Sequence, residues 1–233
     1  MDHIDRRRWL RNVSALGIVG LTSCTKSGGQ VRGPRVVPSE VHRGPAENLL
    51  EEHGVLRRTL LVFEEVERRL RTGTELSPEI VGKAARLVRR FVQDHHERLE
   101  ERFVFPVFED DPGMAPLLRV LKEQHEAGRE LVGRVLMLSR PKDLRERGSR
   151  RELAEALHAF SRMYGPHVAR EDTELFPRLH EKLSPTAYRA LSERLETERL
   201  ARWGENGFAE ALEEVASLER AVGIENLALL LPR

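Results

Sequence analysis

From Ala46 onward, apolar residues recur at spacings of three, four and seven. Leu49, Leu56, Leu60, Phe63 and Leu70, with His53 among them, share one face and predict a first helix whose stripe turns inward. The stretch "TGTELSP" breaks it, and Ser77-Pro78 reads as the N-cap and first turn of a second helix. There Val88, Val92, His96, Leu99, Glu100 and Phe103 share a face, and Pro106 ends the run. After "EDDPGMAP" a third helix carries Leu118, Leu121, His125, Gly128, Val132 and Val135. A fourth, following "GSRRE", carries Leu153, Ala156, Phe160, Met163, His167 and Glu171 before Pro177. Ser184-Pro185 caps a fifth helix through about Arg202, and "GFAEALEEVASLERAVG" forms a sixth. Four helices with one apolar stripe each and short polar connections pack most economically as an all-α, up-down-up-down four-helix bundle. The last two helices are extra, placed on the outside of the bundle or against a second copy of the chain, which leaves a homo-oligomer open.

Composition agrees with a helical protein: 33% of the 233 residues are charged and 5% aromatic, with few Val or Ile runs beyond the N-terminus. A net charge of +1 gives no nucleic-acid surface. The charged run "RERGSRRE" near residue 150 reads as solvated linker.

The N-terminus obeys another rule. "RRRWLRNVSALGIVGLTSC" combines an Arg-rich start, an apolar stretch from Val13 to Leu21, and small residues before the only cysteine, Cys24. This is an export signal over residues 1–24, too short to span a bilayer as a mature helix. Arg6-Arg7-Arg8-Trp9-Leu10-Arg11 resembles a twin-arginine signal, and Leu21-Thr22-Ser23-Cys24 resembles the lipobox of bacterial lipoproteins. The resemblance implies an exported protein, anchored through lipid on Cys24 to the periplasmic or extracellular side of a bacterial membrane. Removing residues 1–23 takes away four Arg and two Asp and turns the net charge of +1 into −1. Residues 25–45, rich in Gly, Pro and Ser, read as a flexible tether, residues 46–182 as the bundle, and residues 183–233 as a C-terminal helical extension. The closing "LALLLP" is too short for a membrane span.

Chemistry enters with the polar members of the stripes. Each stripe holds one histidine near its middle, and two hold a carboxylate four residues later: His96 with Glu100 and His167 with Glu171. On an α-helix such pairs reach one point from one side. An imidazole or carboxylate alone in a bundle core costs several kcal/mol unless it finds a partner. His53, His96, Glu100, His125, His167 and Glu171 satisfy one another most readily by holding metal. Imidazole and carboxylate without thiolate suit iron, manganese or zinc, and His/Glu pairs from facing helices build two-metal sites.

The segments "LLEEHGVLRR", "HHERLEERFVFP", "KEQHEAGREL" and "HVAREDTELFP", in that order, resemble the hemerythrin-like, histidine-histidine-glutamate cation-binding domain over about residues 46–182. The resemblance implies two non-haem iron ions, with manganese or zinc as weaker alternatives, ligated by His53, His96, Glu100, His125, His167 and Glu171, the two glutamates bridging. Members bind O2 or NO, or take part in repairing iron-sulfur centres.

Two departures qualify it. Oxygen-carrying hemerythrins have a second histidine one turn after the third-helix ligand, where this chain has Arg129. Its guanidinium would favour anionic ligands, or pair with a bridging carboxylate or with Glu126 or Glu130. The carriers also place the last carboxylate five residues after its histidine, where Asp172 stands, so Glu171 and Asp172 remain alternatives, with Glu171 preferred. Similarly Glu101 adjoins Glu100 and reads as the solvated neighbour. His95 is expected at a helix boundary or as a hydrogen-bond donor behind a ligand, His158 on the outer face, and Tyr164 in the core or against a ligand or bound oxygen species.

The expected function is a di-iron protein that binds O2, NO or peroxide for sensing, scavenging or storage. The alternative is a redox enzyme reducing peroxide or NO, or an iron-centre repair protein.

Overall fold

The computed structural model describes residues 44–226, 228 and 231. The export signal, Cys24 and the tether up to residue 43 lie outside them, as does most of "LALLLP". The predicted all-α architecture is what is found: a helical bundle with two further helices, and no strand among the described residues.

Helix α1 spans Pro45–Thr72. Pro45 sits in its first turn, where a missing N–H costs nothing, and Gly73 ends it at φ 74°, a left-handed conformation that favours glycine. Helix α2 spans Pro78–Leu87, and its path continues through π-helical winding at Val88–His96, one α-turn at Glu97–Leu99, more π winding at Glu100–Val104, and a closing 3-10 turn at Phe105–Phe108. Helix α3 is Ala115–Leu138. Helix α4, Arg147–Arg170, runs through π winding at Glu171–Leu175 into α5, Phe176–Lys182. Helices α6, Pro185–Trp203, and α7, Gly207–Val222, complete the order. Of the two Ser-Pro starts, Ser184 caps its helix by accepting from the Ala187 N–H at 3.3 Å, whereas the Ser77 side chain makes no cap bond.

One expectation is corrected. "RERGSRRE" is not linker: Arg145 closes a 3-10 turn and Arg147–Glu152 form the first turns of α4, the helix-favouring arginines and Glu152 carrying the helix through Gly148 and Ser149 ahead of its apolar stripe.

The apolar core falls into two clusters. One contains Leu56, Phe63, Val92, Val132, Leu153 and Phe160; the other contains Leu49, Leu99, Phe105, Leu121, Leu175 and Phe176. On every bundle helix the inward histidine lies between a residue of one cluster and a residue of the other, so the histidines form a polar layer across the bundle. The C-terminal helices lie on the outside of the bundle. Helix α7 buries Ala211, Val215, Leu218 and Val222 against α1 and α2, each full Val or Leu burial contributing about 1.5–3 kcal/mol. Arg58 on α1 also donates to Glu219 on α7 at 2.8 Å. Helix α6 adds Leu191 and Leu195 to the second cluster. No described helix is long and apolar enough to cross a membrane.

Candidate metal centre

The polar layer brings all six sequence-derived residues together, each 4% exposed or less. His53 on α1 and His96, at the end of the π-helical stretch that follows α2, face each other with Nε2 atoms 3.0 Å apart. His125 on α3 and His167 on α4 form a second pair, ring centroids 5.0 Å apart. The carboxylates sit between the pairs. Glu100 places Oε1 3.5 Å from His96 Nε2 and Oε2 3.6 Å from His125 Nε2. Glu171 places Oε1 3.1 Å from His167 Nε2 and Oε2 3.4 Å from His53 Nε2. Each glutamate therefore offers one oxygen to each pair.

Behind the inward nitrogens, every Nδ1 has a partner. His53 Nδ1 lies 2.6 Å from Asp172, His96 Nδ1 2.8 Å from Glu52, His125 Nδ1 2.9 Å from Glu101, and His167 Nδ1 2.9 Å from the amide oxygen of Gln124. All four partners are acceptors, so each imidazole donates Nδ1–H outward and turns a lone pair on Nε2 inward, which is the tautomer a metal requires. Two such lone pairs 3.0 Å apart, at His53 and His96, repel unless a cation lies beside them. Both oxygens of Glu100, both of Glu171 and His125 Nε2 are buried without a hydrogen-bond partner, although imidazoles stand close by. Unpartnered polar atoms are costly in a core, and their convergence is what a cation would satisfy. The donor set fits: His53, His96, Glu100 and Glu171 could hold one ion, and His125, His167 and Glu171 a second.

The electrostatics of the metal-free layer show the same tension. Burial lifts the Glu100 carboxyl well above the usual carboxylate range, and the neighbouring Glu171 lifts it further. Burial lowers His96 to about 4 despite the Glu52 carboxylate, so it is neutral near pH 7.

The winding of the helices places these atoms. Glu100 opens one π stretch and Glu171 another, while His96 closes a third. Turns of this kind are rare and cluster where a side chain must be re-aimed. Pro166, inside α4 and directly before His167, removes a further helical N–H.

The family model described as "Hemerythrin HHE cation binding domain" matches residues 44–179. The chain belongs to this hemerythrin family. Uncharacterized protein Rv1995 of Mycobacterium tuberculosis (strain ATCC 25618 / H37Rv) and Uncharacterized protein Mb2018 of Mycobacterium bovis are each 36% identical to it over 233 residues, covering 98% of this chain and 91% of their own. No solved structure matches at comparable significance.

Within this hemerythrin domain the adjacent-carboxylate alternatives separate. Glu171 lies between the histidine pairs while Asp172 backs His53, and Glu100 lies between them while Glu101 backs His125. Glu101 is therefore not simply a solvated neighbour: it accepts from His125 and, at 2.5 Å, from Arg129. Arg129 likewise departs from expectation, pairing with Glu101 and Glu97 rather than with a bridging carboxylate, Glu126 or Glu130. One turn beyond His125 its side chain faces the second bundle helix, where Glu97 and Glu101 stand on successive turns. His95 is buried and contacts Glu52 at 3.1 Å, in keeping with a donor behind a ligand. His158 is half exposed and pairs with Glu67. Tyr164 is fully buried and donates to Glu97. Sequence reasoning missed Glu52, Glu97 and Gln124; the available signal was that each adjoins a stripe histidine, directly in sequence.

Proposed function

We propose that this hemerythrin-family protein holds two non-haem iron ions bridged by Glu100 and Glu171, one beside His53 and His96 and the other beside His125 and His167. In this reading it binds O2 or a related small ligand, NO or peroxide, for sensing, scavenging or storage. The observation that carries the reading is the sharing of each glutamate between two histidine pairs whose lone pairs point inward. Imidazole and carboxylate donors without thiolate support iron, which supplies redox chemistry and a place for O2 to bind. Apolar clusters close the layer on both sides, an environment that suits a small uncharged ligand. We propose further that the chain is exported and held on the outer side of a bacterial membrane by lipid on Cys24.

The direct test is metal analysis of the mature protein after anaerobic purification. Close to two irons per chain is the expected result; fewer than one transition metal per chain after reconstitution would overturn the reading.

A further inference from the structure

The family match ends at residue 179, yet the described chain continues through two more helices, and the first ends on Trp203. Trp203 meets His95 edge-on, with ring centroids 6.1 Å apart. His95 Nε2 lies 3.1 Å from one oxygen of Glu52, and the other oxygen of Glu52 lies 2.8 Å from His96 Nδ1. His95, Glu52 and His96 are all buried, so the connection from the indole to the inward-facing His96 runs through side chains that are almost wholly inside the protein.

Trp203 is itself pinned. Phe91 packs edge-on against it at 5.6 Å, and the Arg90 guanidinium lies 5.1 Å above its ring. Gly207, the first residue of α7, lies so close that a Cβ there would stand 2.2 Å from Trp203 Cβ, and α7 can turn back onto the bundle only because that atom is missing.

Two of the other imidazoles are backed by carboxylates that reach solvent. Glu101, behind His125, is 31% exposed. Asp172, behind His53, is 15% exposed and pairs with Arg57, itself 49% exposed. Partners open to water exchange and reorient, whereas a carboxylate held at both oxygens by buried imidazoles does not.

We propose that Trp203 is a positioning residue for the cation position beside His53 and His96. Acting through His95 and Glu52, it fixes the direction of the His96 Nε2 lone pair, so the C-terminal extension completes one half of the centre. The two cation positions then differ in retention, the His53/His96 position releasing its ion more slowly. This rests on the two-ion reading above.

The test uses the full mature chain freed of metal, loaded with Co2+ and challenged with excess EDTA, its release followed by the visible absorption of bound Co2+. The wild-type protein is expected to take up two Co2+ and release them in two phases. Trp203→Leu accelerates only the slow phase, by about 10–100-fold, the scale on which hydrogen-bonded supports of a ligand act. His95→Gln does the same, and Trp203→Phe restores most of the wild-type rate. Single-phase release from the wild type, or equal acceleration of both phases in Trp203→Leu and His95→Gln, would overturn the proposal and leave Trp203 as packing alone. If Trp203→Leu loses its helical circular dichroism, His95→Gln and Trp203→Phe decide by the same criterion. A wild-type protein that takes up no Co2+ would instead defeat the two-ion reading itself.

Discussion

Tyr164 donates its phenol proton to Glu97 across 2.5 Å, and neither side chain reaches solvent. The tyrosine fits because α3 carries Gly128 opposite it: a Cβ there would lie 2.2 Å from the phenol oxygen. Gly128→Ala therefore displaces Tyr164 from Glu97 and costs about 1–3 kcal/mol, as overpacking of a core does. Scanning calorimetry should show the melting point falling by roughly 2–4 °C per kcal/mol in a chain of this size. An unchanged melting point would mean that the ring moves aside freely.

His125→Ala removes the α3 member of the layer, taking from Glu100 the imidazole beside its second oxygen and from Glu101 one of its two donors. Metal content and melting temperature should fall together, since ligand convergence offsets the buried polar atoms. His158→Ala, at a half-exposed site beside Glu67, should change neither beyond about 0.5 kcal/mol. Equal losses in the two variants would contradict the placement of the layer.

Acid should destabilise the metal-free protein in two steps. His96 is lowered by burial to about 4, so the folded chain resists its protonation and stability falls as pH drops from about 6.5 toward 4. Burial tends to raise Glu52, but the bonds from His95 and His96 bring it down to about 2. Its contribution, on the order of 3 kcal/mol, is present above about pH 4.5 and lost as pH falls from there toward 2. Denaturant melts of the metal-free protein between about pH 3 and 7 check this, and flat stability across that range would contradict it.

Glu100 has the opposite sign. With its carboxyl held well above the usual range, the folded metal-free chain keeps a proton that the unfolded chain loses, so stability declines as pH rises past about 4.5. Glu100→Gln removes the ionisation that Glu171 opposes. The metal-free variant should be more stable than the wild type at about pH 8, as measured by urea melts, while taking up fewer cations. A variant less stable under those conditions would show that Glu100 is tolerated in the core without metal.

Export is read at the N-terminus. Mass spectrometry of membrane-fraction protein should find a mature chain beginning at an acylated Cys24, and Cys24→Ser should release the protein from that fraction. Finding the chain still starting at Met1 and soluble in the cytoplasm would refute the anchor.

The bundle was legible because its four stripes keep a clean helical period, and the six central residues because a histidine sits mid-stripe on each. The choice between adjacent carboxylates was less so. Glu100 and Glu101, or Glu171 and Asp172, lie about 100° apart on an ideal helix, and the polar layer is deep enough to employ both members of each pair, one inside and one behind a histidine. Glu52, Glu97 and Gln124 were missed because a charged or amide residue at the edge of a stripe reads as solvent-facing until a histidine or tyrosine from another helix closes over it. Arg129 was placed by the acidic residues nearest in sequence, whereas its actual partners come from the neighbouring helix.

The π winding along the second bundle helix makes the phase of its side chains depend on residue count as much as on residue type. Deleting one residue between Val88 and Val92, with the winding on either side kept, would rotate the segments on its two sides by roughly 100° relative to each other, one residue's step on a helix. Keeping α2 seated in the first cluster would then swing His96 and Glu100 out of the layer and carry their neighbours toward it. Every candidate ligand would still be present in the composition, yet the centre would be lost, so spacing along this helix is under the same constraint as the histidines themselves.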